Sequence, residues 1–574
     1  MFRRNDRHLQ PLLISNVADL PAKRRQRLED SWAGTFYREF FCRLKEETFA
    51  VLYVDTPSRP NIAVNVLVGL EALKSGFGWS DEELYDHFLF DMQVRYALGY
   101  HTLQEGDFEL RTLYNFRQRL SQYHQEHEIN LLAQALETIT TQQLSALKVH
   151  GGLQRMDSTQ IASNIMDMSR LQLLVEGVQR LHRLLDPAEQ ERLVEWFAPY
   201  MKGHAGQFVY RIKGPQATAE AIRQVGQVLH HLLGEMKALY EQHPTYQVVQ
   251  RLFGEHFDIQ EQKVQPKSNE NLRAASLQSL DDQEATFRRK EDEEYKGYVA
   301  NVTETCDPHN PLQLITKVQV APNNRDDADL LVEALPELKA RTEVQTLYTD
   351  GTFGSPAADE ACVQQKVTQI QTGLRGKAPD PHHFNLADFE IEQREDGVPT
   401  ALTCPAGQRV AVEPGRTTGF IAAFAPEICR GCPFQHEGRC RVQCRKRDQR
   451  FVLSFTQQEI HWARRRQRYQ EQKHASKNPR AAIEATVRSL KHPFRAKLPV
   501  RGLFRVTCLL LASGAMVNVR RIWRYLRTPA PTEGPEASDV QRTETPSALF
   551  RSSFRAWLSK SPRLPHFRKL CFSC

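Results

Sequence analysis

The sequence predicts an α/β fold: a mixed sheet flanked by helices, preceded by a helical N-terminal domain over residues 1–145 and interrupted by two insertions. Three observations predict it. Apolar residues recur at helical spacing through the first 145 positions. From 153 to 372, short apolar runs of strand character alternate with helical patterns. Two stretches depart from that alternation: about 168–265 is a long helical run, and about 376–455 is rich in Pro, Gly and Cys.

In the N-terminal domain, Pro60 to Leu73 places Val64, Leu67, Leu70 and Leu73 along one helical face before Gly76-Phe77-Gly78 breaks the pattern. Ser80-Asp81-Glu82-Glu83 has the form of a capping box and opens a second helix through Leu84, Phe88 and Met92, stopped at Gly99. A third helix, Asp107 to Leu120, groups Leu110, Leu113, Phe116 and Leu120 and leaves Arg111, Arg117 and Arg119 facing outward or sideways. Short helices with tight turns suit a DNA-binding module, and equally an ordinary helical domain.

The sheet begins with a strand, Leu153 to Met156, running into Asp157. Helices such as Leu171 to Leu185 and Thr218 to Tyr240 form the first insertion. Residues 265–295 are polar and charged, the composition of a loop or mobile segment. Strands follow at Tyr298 to Thr305 and Leu312 to Val320. A helix from Asp326 to Leu335 is expected to end or kink at Pro336. The strand Thr346 to Thr349 ends at Asp350, a helix runs from Pro356 to about Lys366, and a last strand covers Val367 to Thr372. Without its insertion, this is the element order of a ribonuclease-H-like domain, spanning 146–527. Residues 456–527 read as helical. Within them Phe504 to Val519 is too short for a membrane span and is interrupted by Arg505, Ser513 and Asn518, so it reads as a buried helix. Residues 528–574 read as a disordered linker followed by a basic tail.

The chain has 574 residues and a formal net charge of +7. That excess only hints at a polyanionic partner, but its distribution says more. Basic residues crowd the last third, in Arg445-Lys446-Arg447, Arg464-Arg465-Arg466-Gln467-Arg468 and Arg520-Arg521. The N-terminus, MFRRNDRHLQ, lacks the apolar core of an export signal, so a cytoplasmic protein is expected. No phosphate-binding G-x-x-x-x-G-K-[ST] loop, H-E-x-x-H or G-x-S-x-G motif occurs, which argues against ATP-driven, zinc-protease and esterase chemistry.

Cleaving and joining phosphodiesters requires an activated nucleophile and concentrated positive charge at phosphorus. Two Mg²⁺ ions roughly 3.5–4 Å apart supply both, and such hard cations take carboxylate oxygens. Asp157 and Asp350 each close a short apolar strand, and adjacent strand ends would bring them together. Asn478-Pro479 is a good cap for a helix. At about 100° per residue, with Arg480 at zero, Glu484 falls near 40° and Lys491 near 20°. The three share a polar stripe beside an apolar face of Ile483, Val487 and Leu490. The alternative is a surface ladder, since Arg480 and Glu484 are four apart.

Met156-Asp157-Ser158-Thr159, Asp350-Gly351 and Arg480-x3-Glu484-x6-Lys491 together resemble bacterial insertion-sequence DDE transposases of the branch with a Tyr-x2-Arg-x3-Glu-x6-Lys signature. Ser58-Arg59-Pro60 through Arg117-Gln118-Arg119-Leu120 resembles that family's helical N-terminal domain. Cys404-Pro405-Ala406-Gly407 followed by Cys429-x2-Cys432 also fits. The resemblance spans roughly 55–527. It implies a ribonuclease-H-like core, Mg²⁺ or Mn²⁺ held by Asp157, Asp350 and Glu484, and phosphate contacts from Arg480 and Lys491. It further implies double-stranded DNA with terminal inverted repeats as substrate, transfer of the freed 3′-hydroxyl to target DNA, and a homo-oligomer that pairs two ends. The tyrosine of the signature is Lys477 here. A lysine can hold a phosphate as a point charge but cannot stack on a base. A metal-dependent DNA nuclease without strand transfer, and a transposase-derived DNA-binding protein without catalysis, are the alternatives.

Five of the eleven Cys lie between Cys404 and Cys444. Cys429-Arg430-Gly431-Cys432 is a CxxC knuckle. A tetrahedral zinc site from Cys404, Cys429, Cys432 and either Cys440 or Cys444 is one reading, with His436 as a spare ligand; a reduced loop without metal is the other.

Overall fold

The computed structural model describes residues 1–528, apart from 11–14, 55, 57–60, 202, 262, 291, 377–379, 395–396, 416–418, 447–448, 474–478 and 495–496. The expectations for Ser58-Arg59-Pro60, Arg447, Lys477, Asn478 and the tail beyond Thr528 lie outside the described residues.

The main sheet has five positions. β1 (Leu153–Ala162) pairs on one side with the parallel strand β7 (Thr346–Thr349), which pairs in parallel with β8 (Thr368–Gln371). On its other side β1 pairs antiparallel with the long β5 (Glu293–Thr305). The far edge of β5 is shared end to end by β4 (Thr286–Lys290) and β6 (Ile315–Pro322). The hairpin of β2 (Phe257–Gln260) and β3 (Lys263–Pro266) stands apart. This mixed α/β arrangement is compatible with a ribonuclease-H-like domain.

Three expectations along this stretch change. Asp157 does not end β1. The strand continues to Ala162 because β5 goes on pairing with it after β7 has stopped. The helix Asp327–Thr342 runs through Pro336. Pro336 lies on the exposed side, where helix carbonyls tilt toward water, while buried Leu335 and Leu338 hold the helix on the sheet. The polar segment 265–295 is built into the fold: β4 is an edge strand, and buried Asp282 accepts hydrogen bonds from Ser163 Oγ and Tyr298 Oη, both at 2.5 Å. Its charged composition hid a segment whose buried polar groups find partners elsewhere in the chain.

The helical insertion carries its own core, built from Arg170–Leu184, Pro215–Tyr240 and Pro244–His256 around Leu174, Leu229 and Leu252. The Cys-rich stretch folds as a six-stranded antiparallel sheet. Its strands are β9 (Glu390–Gln393), β10 (Pro399–Thr403), β11 (Arg409–Pro414), β12 (Phe420–Phe424), β13 (Gln443–Cys444) and β14 (Phe451–Phe455). Pro and Gly punctuation concealed strands only two to six residues long.

Residues 1–527 form one compact unit. The N-terminal helices, among them Val64–Phe77, Asp81–Phe90 and Leu110–His127, share one apolar core with β5, β6 and the C-terminal helix Leu503–Arg527. Ser80 and Glu83 form both bonds of the capping box. Gly78 closes the preceding helix at φ 74°, and a Cβ there would meet the Pro493 carbonyl oxygen at 2.0 Å, so only glycine lets these backbones approach. By length and composition Leu503–Arg527 could cross a membrane, but 61% of its most apolar window is buried inside this fold.

Asn518 on that helix accepts from the Ile315 N–H (2.8 Å) and donates to the Ile315 carbonyl (2.9 Å), replacing strand pairing at the edge of β6. Asn518→Leu leaves two buried backbone groups unpaired, at about 1–3 kcal/mol each; a fall in stability of about 2–4 kcal/mol is expected by denaturant titration. His256, 4% exposed, receives a hydrogen bond from Arg170 Nε (3.1 Å). Burial, reinforced by the charges of Arg170 and Lys267, pulls its pKa down to about 4. Its depressed value means that stability is fully present above the unfolded value of about 6.5 and is lost as pH falls toward 4. Thermal midpoints should drop over that window in the native chain and drop less in His256→Gln.

Candidate functional site

The Asp pair follows from strand register. Arg155 lies opposite Tyr348 across the parallel β1–β7 ladder. Two residues further, at the same alternation, come Asp157 and Asp350, projecting from neighbouring strands where their pairing ends. Asp157 is 8% exposed; its Oδ1 accepts from the Ser158 N–H at 3.0 Å and from Arg480 Nη2 at 2.9 Å. Asp350 caps the short 3-10 turn Gly351–Phe353, its Oδ1 accepting from the Thr352 N–H at 2.8 Å and from the Thr352 hydroxyl. Its other oxygen lies 3.5 Å from the same Arg480 Nη2. One guanidinium thus bridges both aspartates. Burial pushes the Asp157 carboxyl above its ordinary range, against the pull of Arg480; Asp350 adds a smaller upward push.

The third carboxylate is placed differently. Residues Pro479–Ala482 form a 3-10 turn, and the α-helix proper is Ile483–Lys491, capped at Ala482. Arg480 therefore stands in the turn that precedes the α-helix bearing Glu484 and Lys491. The Pro479 carbonyl accepts from Arg155 Nη1 at 2.7 Å, a contact that draws this first turn toward β1. The apolar face holds: Ile483 and Leu490 are fully buried, and Val487 packs on the core. Glu484 is exposed. Lys491 turns to β1, donating to Thr159 Oγ1 (3.1 Å) and the Gln160 carbonyl (3.3 Å), and burial lowers its pKa. Among the described residues, no three Asp, Glu, His or Cys side chains stand in a metal-holding arrangement. The donor chemistry of the aspartate pair still suits a hard cation: two carboxylates, largely shielded from water, already converge on one positive charge.

Sequence reasoning missed Glu304 and Thr486. Glu304 is fully buried on β5, opposite Arg155 in the β1–β5 register. Its Oε1 lies 2.6–2.7 Å from the Arg155 guanidinium; its Oε2 accepts from Thr486 Oγ1 and Arg521 Nη1, both at 2.7 Å. The available signal was a glutamate following the apolar and β-branched run Val302-Thr303 near the end of β5.

Several arginines of the N-terminal helices and the basic runs are paired within the fold. Arg117 pairs with Glu71 (2.6 Å) and Asp81 (2.7 Å). Arg465, on the helix Gln457–Lys473, is buried against Asp359 at 2.6 Å, and Arg468 reaches the same carboxylate at 2.8 Å. Arg520 donates to the Gly76 carbonyl. Arg464, on the helix Gln457–Lys473, is exposed. A cavity of about 650 Å³ between Tyr53, Phe108 and Arg119 contains none of the candidate residues.

Cys404, Cys429, Cys432 and Cys440 line one small cavity of about 20 Å³, walled by Phe384 and Phe434. Cys404 opens a turn after β10, and the Cys429–Cys432 knuckle is closed by the Cys432 N–H on the Cys429 carbonyl (3.3 Å). Burial pushes the Cys429 thiol up to about 11, and Cys440, Cys404 and Cys432 push the same way. Cys444 is exposed on β13, with its Sγ on Gln449 Oε1 at 3.8 Å, and His436 is not among the groups lining this cavity.

Residues 403–523 match a family model described as "Transposase DDE domain". The matched segment runs from the end of β10 into the C-terminal helix and contains Arg480, Glu484, Lys491 and the four thiols; Asp157 and Asp350 lie before it. No curated protein and no solved structure matches the chain. The family match supports a DDE transposase, hence a divalent-metal-dependent activity on DNA.

Proposed function

We propose that this chain cleaves the ends of an insertion sequence and transfers the 3′-hydroxyl to target DNA, with Asp157, Asp350 and Glu484 as its catalytic carboxylates. The observation that carries the reading is the register-matched pair Asp157 and Asp350, bridged by Arg480. The family match over the segment bearing Arg480, Glu484 and Lys491 supports it from a separate part of the chain.

Asp157, Asp350 and Glu484 are the residues that would hold Mg²⁺ or Mn²⁺, which supplies positive charge at phosphorus and activates the attacking oxygen. The protein's own part is positioning. Asp157 and Asp350 present oxygens from two strands of one sheet, a rigid platform. Arg480 and Lys491 flank them with cationic donors suited to phosphate oxygens. Lys477 would add a point charge where the signature has tyrosine. Glu484, exposed on the helix Ile483–Lys491, would complete the ligand set from a third element. Double-stranded DNA is the partner, as terminal inverted repeats and as target. Joining two ends calls for a homo-oligomer on DNA, in the cytoplasm and at the nucleoid. Cys404, Cys429, Cys432 and Cys440 are the proposed ligands of a structural Zn²⁺. Their common cavity supports this, since a bound cation reverses the unfavourable ionisation of crowded thiols.

With Mg²⁺ and DNA carrying the flanking inverted repeats, the native chain should yield cut ends and joined product. Asp157→Asn, Asp350→Asn and Glu484→Gln should each lose about 10³-fold or more in cleavage, the loss of several kcal/mol of metal stabilisation, while still binding the ends. Cut ends without joined product indicate a nuclease, and binding with neither indicates a DNA-binding protein. Cleavage untouched in Glu484→Gln removes that residue from the site. Elemental analysis of the reduced full-length protein should find about one zinc per chain, lost in Cys432→Ser; zinc-free native protein excludes the thiol site.

A further inference from the structure

The candidate carboxylates sit on separate elements, β1, the loop after β7 and the helix Ile483–Lys491, and something must set the last of these against the other two. The buried cluster around Glu304 reaches β1, the Pro479 turn, the helix Ile483–Lys491 and the C-terminal helix. Arg155 is two residues before Asp157 and so projects from the same face of β1. The same guanidinium donates to the carbonyl of Pro479, the residue immediately before Arg480. Thr486 is two residues after Glu484, about 200° around the helix, so pinning it inward sets the direction in which Glu484 faces out. Arg521 belongs to the C-terminal helix and donates both to Glu304 and to the Thr486 hydroxyl. Thr486 and Arg521 thus close a triangle on one carboxylate oxygen while Arg155 holds the other.

We propose that Glu304 is a positioning residue of the metal site, acting through Arg155 and Thr486 to fix the turn bearing Arg480 and the helix bearing Glu484 against the strand bearing Asp157. The proposal rests on the reading of Asp157, Asp350 and Glu484 as the cleavage carboxylates. Stability alone does not account for the cluster. Well-packed apolar side chains of similar volume are often as stable as a buried ion network, whereas directed bonds set an orientation. Hydrogen-bonded groups behind metal ligands commonly tune affinity by 10- to 100-fold.

The test uses the full chain and four variants. Thr486→Val keeps the side-chain shape and both arginine pairs of Glu304 but removes the hydroxyl link to the helix. Thr486→Ser restores that link. Mn²⁺ binding is followed by paramagnetic resonance without DNA, the Mg²⁺ concentration for half-maximal cleavage is measured with DNA, and thermal midpoints are recorded alongside. Thr486→Val should bind Mn²⁺ about tenfold more weakly and need about tenfold more Mg²⁺, while Thr486→Ser stays within about twofold of native by the same scale. Native-like metal binding in Thr486→Val, or equal impairment in Thr486→Ser, overturns the proposal. So does a loss that merely follows the thermal midpoint. If Thr486→Val unfolds below the assay temperature, Glu304→Asp carries the comparison, since it keeps the charge but withdraws it from Thr486. Asp157→Asn separates the two levels. Cleavage abolished there with Thr486→Val unimpaired sinks the positioning role alone; cleavage intact there sinks the site reading beneath it.

Discussion

A carboxylate with no exposed surface has to be paired, because an isolated buried charge costs several kcal/mol. Glu304 meets that requirement with two arginines and a hydroxyl drawn from β1, the helix Ile483–Lys491 and the C-terminal helix. Glu304 lies 149 residues from Arg155, 182 from Thr486 and 217 from Arg521 along the chain, so their placement around it cannot come from local propensity. Removing Glu304 itself would leave the Arg155 and Arg521 charges without their shared carboxylate. The aspartate pair stands at one end of this arrangement: β1 carries both Arg155 toward Glu304 and Asp157 toward Asp350.

The same electrostatic logic recurs across the molecule and changes the meaning of its basic residues. Arg465 and Arg521 each neutralise an inward carboxylate, and Arg117 and Arg480 each span two. A mildly positive net charge therefore understates the selection of sites at work. Arg465 and Arg468 tie the helix Gln457–Lys473 to Asp359, and Arg520 and Arg521 tie the C-terminal helix to Gly76 and Glu304, while others, such as Arg464, stay on the surface. Cationic surface available to a polyanion is smaller than the runs suggest, and it is interleaved with structural ion pairs.

The two insertions illustrate different limits of pattern reading. The helical one was legible because Leu174, Val178 and Leu181, and again Val225, Leu229 and Leu232, keep helical spacing around a private core. The Cys-rich one was legible as an interruption but not as a sheet. Strands of two to six residues, separated by Pro and Gly, offer too few alternations to set a period. Which thiols belong together was likewise undecided between Cys440 and Cys444. Chain spacing treats the two alike, and only the closure of β13 against β14 sends Cys444 outward and leaves Cys440 on the cavity.

By itself, the sequence determined the α/β alternation, the strand leading into Asp350, the capping box at Ser80 and the apolar face of Ile483, Val487 and Leu490. These depend on residues a few positions apart, where period and capping chemistry are local. Tertiary structure alone decided the rest. β5 carries β1 past Asp157, parallel register sets Asp157 beside Asp350, and Arg155 holds the Pro479 carbonyl of the turn that bears Arg480. Each of these is a long-range pairing of charge or backbone, and its energy depends on a partner that local spacing does not specify.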